Sequence, residues 1–167
     1  MTATRRIALD TNVINHITDT PGLLDDIRLA ITRTGFILVC PKMVRIELEK
    51  TNDATRRAAL LAVYQALPKE EALDAVGVWG VSGWGECRWS DGGPVHGLTF
   101  EATKTTGTGG TGDAVVGLTA NAECDVLVTG DGKLNGVLQK QSARCEIWTL
   151  QQFTRFIDQC LRETGDQ

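Results

Sequence analysis

The sequence has few histidines, no closely paired cysteines and no long apolar run. Only two histidines occur, His16 and His96, so we expect any chemistry to depend mainly on carboxylates, hydroxyls or a bound metal ion. The five cysteines are scattered and odd in number, and no C-x-x-C pair is present. This excludes a zinc ribbon or a thioredoxin-type motif and argues against a disulfide framework.

No apolar run approaches the roughly 20 residues that a membrane-spanning helix needs. The N-terminus passes from two arginines through a short apolar run to Asp10, and this run is too short for the core of a signal peptide. These absences predict a cytoplasmic protein with no membrane partner.

An excess of basic residues, which would indicate nucleic-acid binding, is also missing. The chain has 17 basic and 21 acidic residues, for a net charge of −4. Residues 68–101 contain two of the basic and six of the acidic residues, so this stretch carries the whole deficit. The overall charge therefore neither supports nor excludes a nucleic-acid substrate. With 167 residues, of which 42% are apolar, the chain is expected to form one globular domain.

Apolar periodicity predicts strands that alternate with helices, which is the pattern of an α/β fold with a parallel sheet. The predicted strands are short apolar runs at 5–10, 36–40, 125–129 and 145–148. The predicted helices cover 22–34, 41–50, 55–67, 113–122, 132–139 and 150–161. Gly35 is expected to end the first of these helices, and Pro41 to begin the second.

The regular alternation is interrupted at about 68–110, which we interpret as an inserted segment. Within it, residues 76–98 alternate glycine with three tryptophans, which predicts irregular strands or a hairpin. Residues 103–112 are rich in glycine and threonine and are expected to form a flexible loop. Two interpretations of the tryptophans stay open, core packing or a surface on which RNA bases or a partner would stack. These tryptophans are Trp79, Trp84 and Trp89.

Three aspartates stand at the carboxyl ends of predicted strands or at the start of a predicted helix. Asp10 ends the first strand, Asp131 follows the strand that ends at Thr129, and Asp113 begins a helix. In open α/β sheets, functional groups collect beyond the carboxyl ends of the strands. If the strands are neighbours, these carboxylates converge at one edge of the sheet.

Glu47 joins this set through its position on a helix. It follows Met43 by four residues and Val44 by three, so it lies on their apolar face. Glu49 lies on the opposite face beside Arg45, as a solvated pair. A carboxylate within an apolar face is costly unless it is paired or binds a cation, which makes Glu47 a candidate ligand.

Each acid also has a structural explanation when it is considered alone. Asp10 suits an Asx-turn, Asp113 a helix N-cap, Asp131 the turn in G-D-G, and Glu47 an ion pair with a buried arginine. The occurrence of all four at one edge of the sheet favours a shared functional role.

Four ordered motifs make the chain resemble the PIN-domain nucleases. They are L-D-T-N-V (9–13), V-R-I-E-L (44–48), G-D-A-V-V-G-L-T-A (112–120) and L-V-T-G-D-G-K-L (127–134). The resemblance covers about 1–67 and 111–160. It implies one PIN-like domain over 1–167, built as a Rossmann-like three-layer α/β/α sandwich with a central parallel sheet, with the insertion at about 68–110.

The resemblance also implies an activity, that of an Mg²⁺- or Mn²⁺-dependent endoribonuclease. The acidic residues of the family correspond here to Asp10, Glu47, Asp113 and Asp131, and Asn12 and Thr129 match supporting positions. Carboxylate oxygens are the ligands that Mg²⁺ and Mn²⁺ prefer. Many small bacterial members are ribonuclease toxins, often dimeric, that a cognate antitoxin inhibits. The partners expected from the resemblance are therefore RNA, an antitoxin protein and a second copy of the chain.

Two other functional classes remain open: a catalytically silent PIN-like module that binds RNA or protein, and an unrelated α/β phosphohydrolase. A dinucleotide site must also be considered, because G-T-G-G-T-G (107–112) matches G-x-G-x-x-G. That fingerprint requires a strand immediately before it, and residues 99–106 make a poor buried strand. His96 is expected at the surface, and His16 on the surface of a helix near the site.

Overall fold

The computed structural model describes residues 4–78, 87, 94–105 and 110–163. The core is a five-stranded sheet in which all strands are parallel, in the order β3-β2-β1-β4-β5. The strands are β1 (Arg6–Leu9), β2 (Ile37–Pro41), β3 (Lys69–Ala72), β4 (Val126–Val128) and β5 (Glu146–Trp148). This sheet confirms the predicted α/β class, and it is compatible with a Rossmann-like sandwich.

Eight helices connect and flank the strands in the described part of the chain. They are α1 (Thr11–Asp19), α2 (Leu23–Thr34), α3 (Lys42–Glu49), α4 (Ala54–Ala66), α5 (Phe100–Thr103), α6 (Gly110–Glu123), α7 (Gly132–Lys140) and α8 (Leu150–Arg162). Gly35 ends α2 in the left-handed conformation (φ 72°), as predicted. Pro41 is the last residue of β2, so α3 begins one residue later than predicted. None of these helices is long and apolar enough to cross a membrane.

The sequence pattern does not predict three of these elements, the helices α1 and α5 and the strand β3. In α1 the buried residues Val13, Ile14 and Ile17 have the spacing of one helix face, but they span only about one turn, which is a short signal. β3 is an edge strand with the sequence K-E-E-A, in which Ala72 is buried and both glutamates are exposed. Charged side chains suit an edge strand but give no apolar run to detect. The sheet therefore extends into the first residues of the segment that we assigned to the insertion.

The described parts of the inserted segment pack beside α6. Val95 and Leu98 form a short antiparallel bridge, and Leu98 is buried. α6 begins at Gly110, so the last three residues of the predicted flexible loop are helical. Asp113 is consequently the fourth residue of this helix rather than its first. The predicted hairpin lies largely outside the described residues, as do all three of its tryptophans, Trp79, Trp84 and Trp89.

The strand order creates a topological switch point between β1 and β4. From β1 the chain adds β2 and β3 on one side, and it then returns to add β4 and β5 on the other. Such a switch leaves a crevice at the carboxyl ends of two neighbouring strands, where α/β proteins bind ligands. The last residues of these two strands are Leu9 and Val128, which pair in register. The residues that follow them therefore mark where a site is expected.

Candidate active site

Asp10 follows β1 at the switch point and is only 2% exposed. Its Oδ1 accepts a hydrogen bond from the backbone N–H of Thr11 (2.7 Å), which caps α1. Its Oδ2 accepts hydrogen bonds from the Thr129 hydroxyl (2.7 Å) and the Asn12 amide (2.9 Å). Burial raises the pKa of Asp10 to about 6, and these hydrogen bonds oppose the rise. Three donors thus fix the orientation of a carboxylate that the protein interior disfavours in its charged form.

Asn12 and Thr129 join the end of β1 to the end of β4. The Asn12 Oδ1 accepts a hydrogen bond from the backbone N–H of Gly130 (2.6 Å), while its amide donates to Asp10. The Thr129 Oγ1 accepts one from the backbone N–H of Asp131 (3.0 Å), while its hydroxyl donates to Asp10. Both predicted supporting residues therefore lie at the candidate site, and they connect Asp10 with the loop that carries Asp131.

Glu47 reaches the same edge of the sheet from α3. Its Oε2 accepts a hydrogen bond from the Thr11 hydroxyl. Its Oε1 packs so closely against the first turn of α6 that a Cβ added at Gly112 would lie 1.8 Å from it. Glu49, in contrast, forms an exposed pair with Arg45 (Oε1 to Nε, 3.7 Å), as predicted for the opposite face. Among the residues that the structure describes, Glu47 thus has a hydroxyl as its hydrogen-bond partner, and not the arginine of the structural explanation.

Asp113 lies in the first turn of α6 and is partly buried. The Thr105 hydroxyl, at the end of the inserted segment, donates a 2.6 Å hydrogen bond to its Oδ2. Burial raises the pKa of Asp113, and the nearby charge of Asp131 raises it further. Because the helix begins three residues earlier, Asp113 is not the N-cap that its structural explanation requires.

Asp131 is the N-cap of α7. Its Oδ1 accepts hydrogen bonds from the backbone N–H groups of Lys133 (2.7 Å) and Leu134 (3.3 Å). Asp131 thus has a structural role as a helix cap, where the sequence suggested only a turn in G-D-G, and its carboxylate satisfies donors that would otherwise lack a partner at the start of the helix. Capping uses one oxygen of the carboxylate, and the charge of the group still acts on Asp113.

Charge links these four carboxylates. Burial is the main reason why the pKa of Glu47 rises to about 7, and the charges of Asp10 and Asp113 raise it further. Asp113 also contributes to the raised pKa of Asp10. The structure thus brings Asp10, Glu47 and Asp113 within range of one another's charge, with Asp131 beside Asp113.

The donor set at this edge consists of carboxylate oxygens, which suits Mg²⁺ or Mn²⁺. Among the described residues, no three His, Cys, Asp or Glu side chains are gathered closely enough to form a ready metal-binding cluster. The hydrogen bonds to Glu47, Asp113 and Asp131 from described residues fall on one oxygen of each carboxylate. The chemistry of the donors therefore fits a hard divalent cation, and binding one would require the carboxylates to draw closer together.

Three residues at the site escape the sequence patterns: Thr11, Thr105 and Gly112. Thr11 and Gly112 are direct neighbours of predicted acids and lie within two of the quoted motifs, but no pattern gives either of them a role. Thr105 lies eight residues from Asp113, within a stretch that reads as loop, and has no such signal. Their roles depend on contacts between distant elements, such as the hydrogen bond from Thr11 to a residue 36 positions away.

The glycine-rich motif, the histidines and the cysteines have the following positions in the described part of the chain. Residues 100–103, shortly before G-T-G-G-T-G, form the helix α5 and not the strand that a dinucleotide fingerprint requires. His96 is exposed, as predicted, and has a positive φ of 47°. His16 lies on α1, where its Nε2 is 3.4 Å from the Thr154 hydroxyl. Cys40, Cys124, Cys145 and Cys160 are buried free thiols, and Cys87 is a partly buried one.

No protein-family model matches the chain, and no curated protein or solved structure is significantly similar to it. A function for this chain is therefore inferred from the chemistry of its residues and from their positions in the fold.

The raised pKa values predict how the stability of the metal-free protein depends on pH. In the folded protein the pKa values of Asp10 and Glu47 lie above the ordinary value of about 4, so the unfolded chain loses these protons at a lower pH than the folded chain does. The free energy of unfolding therefore falls as pH rises from about 4 to about 7. We expect a loss of a few kcal/mol from Asp10 and Glu47, since one pKa unit corresponds to about 1.4 kcal/mol. Urea unfolding with a chelator, at several pH values, measures it.

The Glu47→Gln variant isolates the share of Glu47 in this pH dependence. Burial raises the pKa of Glu47 most, the charges of Asp10 and Asp113 raise it further, and the Thr11 hydrogen bond and the charge of Lys50 lower it. The variant should therefore lose less stability than wild type between pH 5 and pH 7. An identical pH profile for the two proteins would show that Glu47 keeps an ordinary pKa in the folded state.

Proposed function

We propose that this chain is a metal-dependent endoribonuclease with a PIN-like fold, which hydrolyses RNA phosphodiester bonds. Asp10, Glu47, Asp113 and Asp131 would hold Mg²⁺ or Mn²⁺. The observation that carries the proposal is the set of charge-linked carboxylates at the switch point, of which Asp10 and Glu47 are disfavoured as buried anions. A bound cation would offset that cost, and the switch point is where α/β sheets bind ligands.

The residues of the candidate site would have the following roles in metal binding. A divalent cation at this site supplies Lewis-acid chemistry, by lowering the pKa of a bound water and neutralising charge on the leaving oxygen. Asp10 is the most rigid of the proposed ligands, because three donors hold it. Thr11 orients Glu47, Thr105 orients Asp113, and the start of α7 orients Asp131. Asn12 and Thr129 keep the two loops at a fixed separation.

A role as the toxin of a toxin–antitoxin pair, in the cytoplasm and with a cognate antitoxin and a dimeric state, stays a prediction of the resemblance. The proposed chemistry is the same whether the enzyme acts as a toxin or in RNA processing.

The proposed activity is tested by incubating purified protein with labelled RNA and with small phosphate esters, with Mn²⁺ and with a chelator. We expect RNA cleavage that requires the metal. RNA binding without cleavage would instead favour the silent PIN-like module. Turnover of small phosphate esters alone would favour an unrelated α/β phosphohydrolase.

Gly112→Ala is expected to weaken the site while the protein still folds. The new Cβ would meet the Glu47 Oε1 at 1.8 Å, and this oxygen is the end of a flexible side chain that can move away. We expect Mn²⁺ affinity to fall by about tenfold or more, as for other losses of ligand orientation. Calorimetric titration with Mn²⁺ and RNA cleavage rates measure the effect.

Gly136→Ala is the matched control for this substitution. Gly136 lies within α7, and a Cβ added there meets nothing within 4 Å. The change should therefore leave Mn²⁺ affinity unaltered and raise stability by up to about 1 kcal/mol through helix propensity. Equal Mn²⁺ affinity in the two alanine variants would mean that the position of Glu47 does not matter for the metal.

A further inference from the structure

The described end of the inserted segment runs along one face of α6. The Asn121 amide donates a hydrogen bond to the carbonyl oxygen of Val95 (3.1 Å). The Thr103 methyl group lies 3.4 Å from the position of a Cβ at Gly117. The Thr105 hydroxyl donates to Asp113. Residues 113, 117 and 121 are four positions apart and therefore share one helix face. The inserted segment thus follows α6 from its last turn to the carboxylate in its first.

Thr105 is fixed in place by its main chain as well as by its side chain. It is 8% exposed. Its carbonyl oxygen would lie 2.1 Å from a Cβ at Gly110, so only a glycine at that position allows this approach. Two residues earlier, Thr103 is fully buried, and its hydroxyl donates to the carbonyl oxygen of Thr99 (2.8 Å). The donor that reaches Asp113 therefore stands on an anchored stretch of chain.

The hydrogen bond from Thr105 controls the orientation of Asp113. At 2.6 Å it has the length of a strong bond from a hydroxyl to a charged oxygen. It occupies Oδ2, and a carboxylate held through one oxygen has its other oxygen directed by the same contact. Asp113 lies within charge range of Asp10, Glu47 and Asp131, so its orientation bears on all of the proposed ligands.

We propose that Thr105 is a positioning residue of the active site, which holds Asp113 in the orientation required for metal binding and thereby makes the inserted segment part of the catalytic unit. This inference rests on the proposed nuclease function. Under this proposal the inserted segment has a specific role, because the packing of residues 95–105 on α6 brings the Thr105 hydroxyl to Asp113.

The test compares Thr105→Val, which keeps the shape and removes the hydroxyl, with Thr105→Ser, which keeps the hydroxyl. The matched control is Thr103→Val, the same change at a buried threonine whose hydroxyl contacts the backbone alone among the described residues. Mn²⁺ affinity is measured by calorimetric titration, and kcat and KM are measured with RNA. We expect Thr105→Val to bind Mn²⁺ about 10- to 100-fold more weakly, as for other partners of metal ligands. Thr105→Ser should stay close to wild type.

The control separates positioning from a general effect on folding. Thr103→Val should lower the melting temperature at least as much as Thr105→Val, while it keeps wild-type Mn²⁺ affinity and kcat. An unchanged Mn²⁺ affinity in Thr105→Val, or an equal loss in Thr103→Val, would overturn the inference and leave the nuclease proposal standing. If Thr105→Val does not fold, Thr105→Ala replaces it, since alanine also lacks the hydroxyl, and wild-type Mn²⁺ affinity in that variant would overturn the inference. A wild-type protein that neither binds Mn²⁺ nor cleaves RNA would overturn the nuclease proposal, and the inference with it.

Discussion

Glu47→Gln is expected to reduce RNA cleavage by more than about a hundredfold, since even an outer partner of a metal ligand contributes about 10- to 100-fold. Glutamine has nearly the same shape, and its amide oxygen can accept the hydrogen bond that Thr11 donates to Glu47. It lacks the negative charge that would bind the cation. In the metal-free protein the pKa of Glu47 is about 7, so a neutral side chain costs little at this position near neutral pH. The variant should therefore fold with at least the stability of wild type.

Glu49→Gln is the matched control, because it makes the same change two residues along the same helix. Glu49 is exposed and pairs with Arg45 at the surface, where such a pair contributes about 1 kcal/mol or less. Its loss should leave both cleavage and Mn²⁺ affinity unchanged. Cleavage rates are measured at saturating Mn²⁺ with labelled RNA, and folding is checked by circular dichroism. If Glu47→Gln cleaves RNA as fast as Glu49→Gln does, Glu47 has no part in catalysis.

Mn²⁺ is expected to raise the melting temperature of the wild-type protein by several degrees. A ligand that binds only the folded state at a hundredfold excess over its Kd stabilises it by about 2.7 kcal/mol. For a chain of this length, 1 kcal/mol corresponds to roughly 2–4 °C. The gain should be largest above pH 7, because the cation binds the deprotonated carboxylates and Glu47 has a pKa of about 7 before the metal binds.

Asp113→Asn should be stabilised by Mn²⁺ much less than the wild-type protein is. The change removes one of the charges that repel one another at the site, so the metal-free variant should be at least as stable as wild type. It should then lose most of the stabilisation by Mn²⁺. Asp53→Asn is the control: Asp53 is an exposed N-cap of α4 that accepts a hydrogen bond from the backbone N–H of Arg56, and it should keep the full response. Melting curves with chelator and with Mn²⁺ compare the three proteins. Equal metal responses in all of them would show that Asp113 is not a ligand.

The fold was predictable where burial is continuous. The apolar runs at 36–40 and 125–129 become the buried strands β2 and β4, and Gly35 ends its helix through the positive φ that glycine allows. The pattern fails for β3, because an edge strand needs no apolar residues on its exposed side. It fails for α1 because the apolar face of this helix consists of only three buried residues, Val13, Ile14 and Ile17, which span about one turn.

The sequence indicated the acidic residues of the candidate site and two of the residues that support them, Asn12 and Thr129. Position after a strand indicates Asp10 and Asp131, and a helical face indicates Glu47. The hydroxyl groups that hold Glu47 and Asp113 come from other elements of the fold, so no local pattern can indicate them. Thr105 belongs to the inserted segment, and Gly112 matters because α3 places Glu47 against it. Sequence periodicity describes single elements, whereas such contacts depend on how the elements pack.

The pairing of β1 with β4 leaves one edge of β1 unpaired in the nascent chain until β4 is synthesised. Asp10 and Thr129, which share a hydrogen bond, are 119 residues apart. Strands β1, β2 and β3 lie within the first 72 residues and can associate early in synthesis. Until β4 emerges, one edge of β1 has no partner, and an unpaired strand edge invites association with other chains. The loop between the two strands must also close before the site exists, which carries an entropic cost. A nascent chain that stops short of Val126 would thus hold three of the four proposed ligands beside an open edge, and the proposed nuclease could act only after Thr129 and Asp131 had been translated.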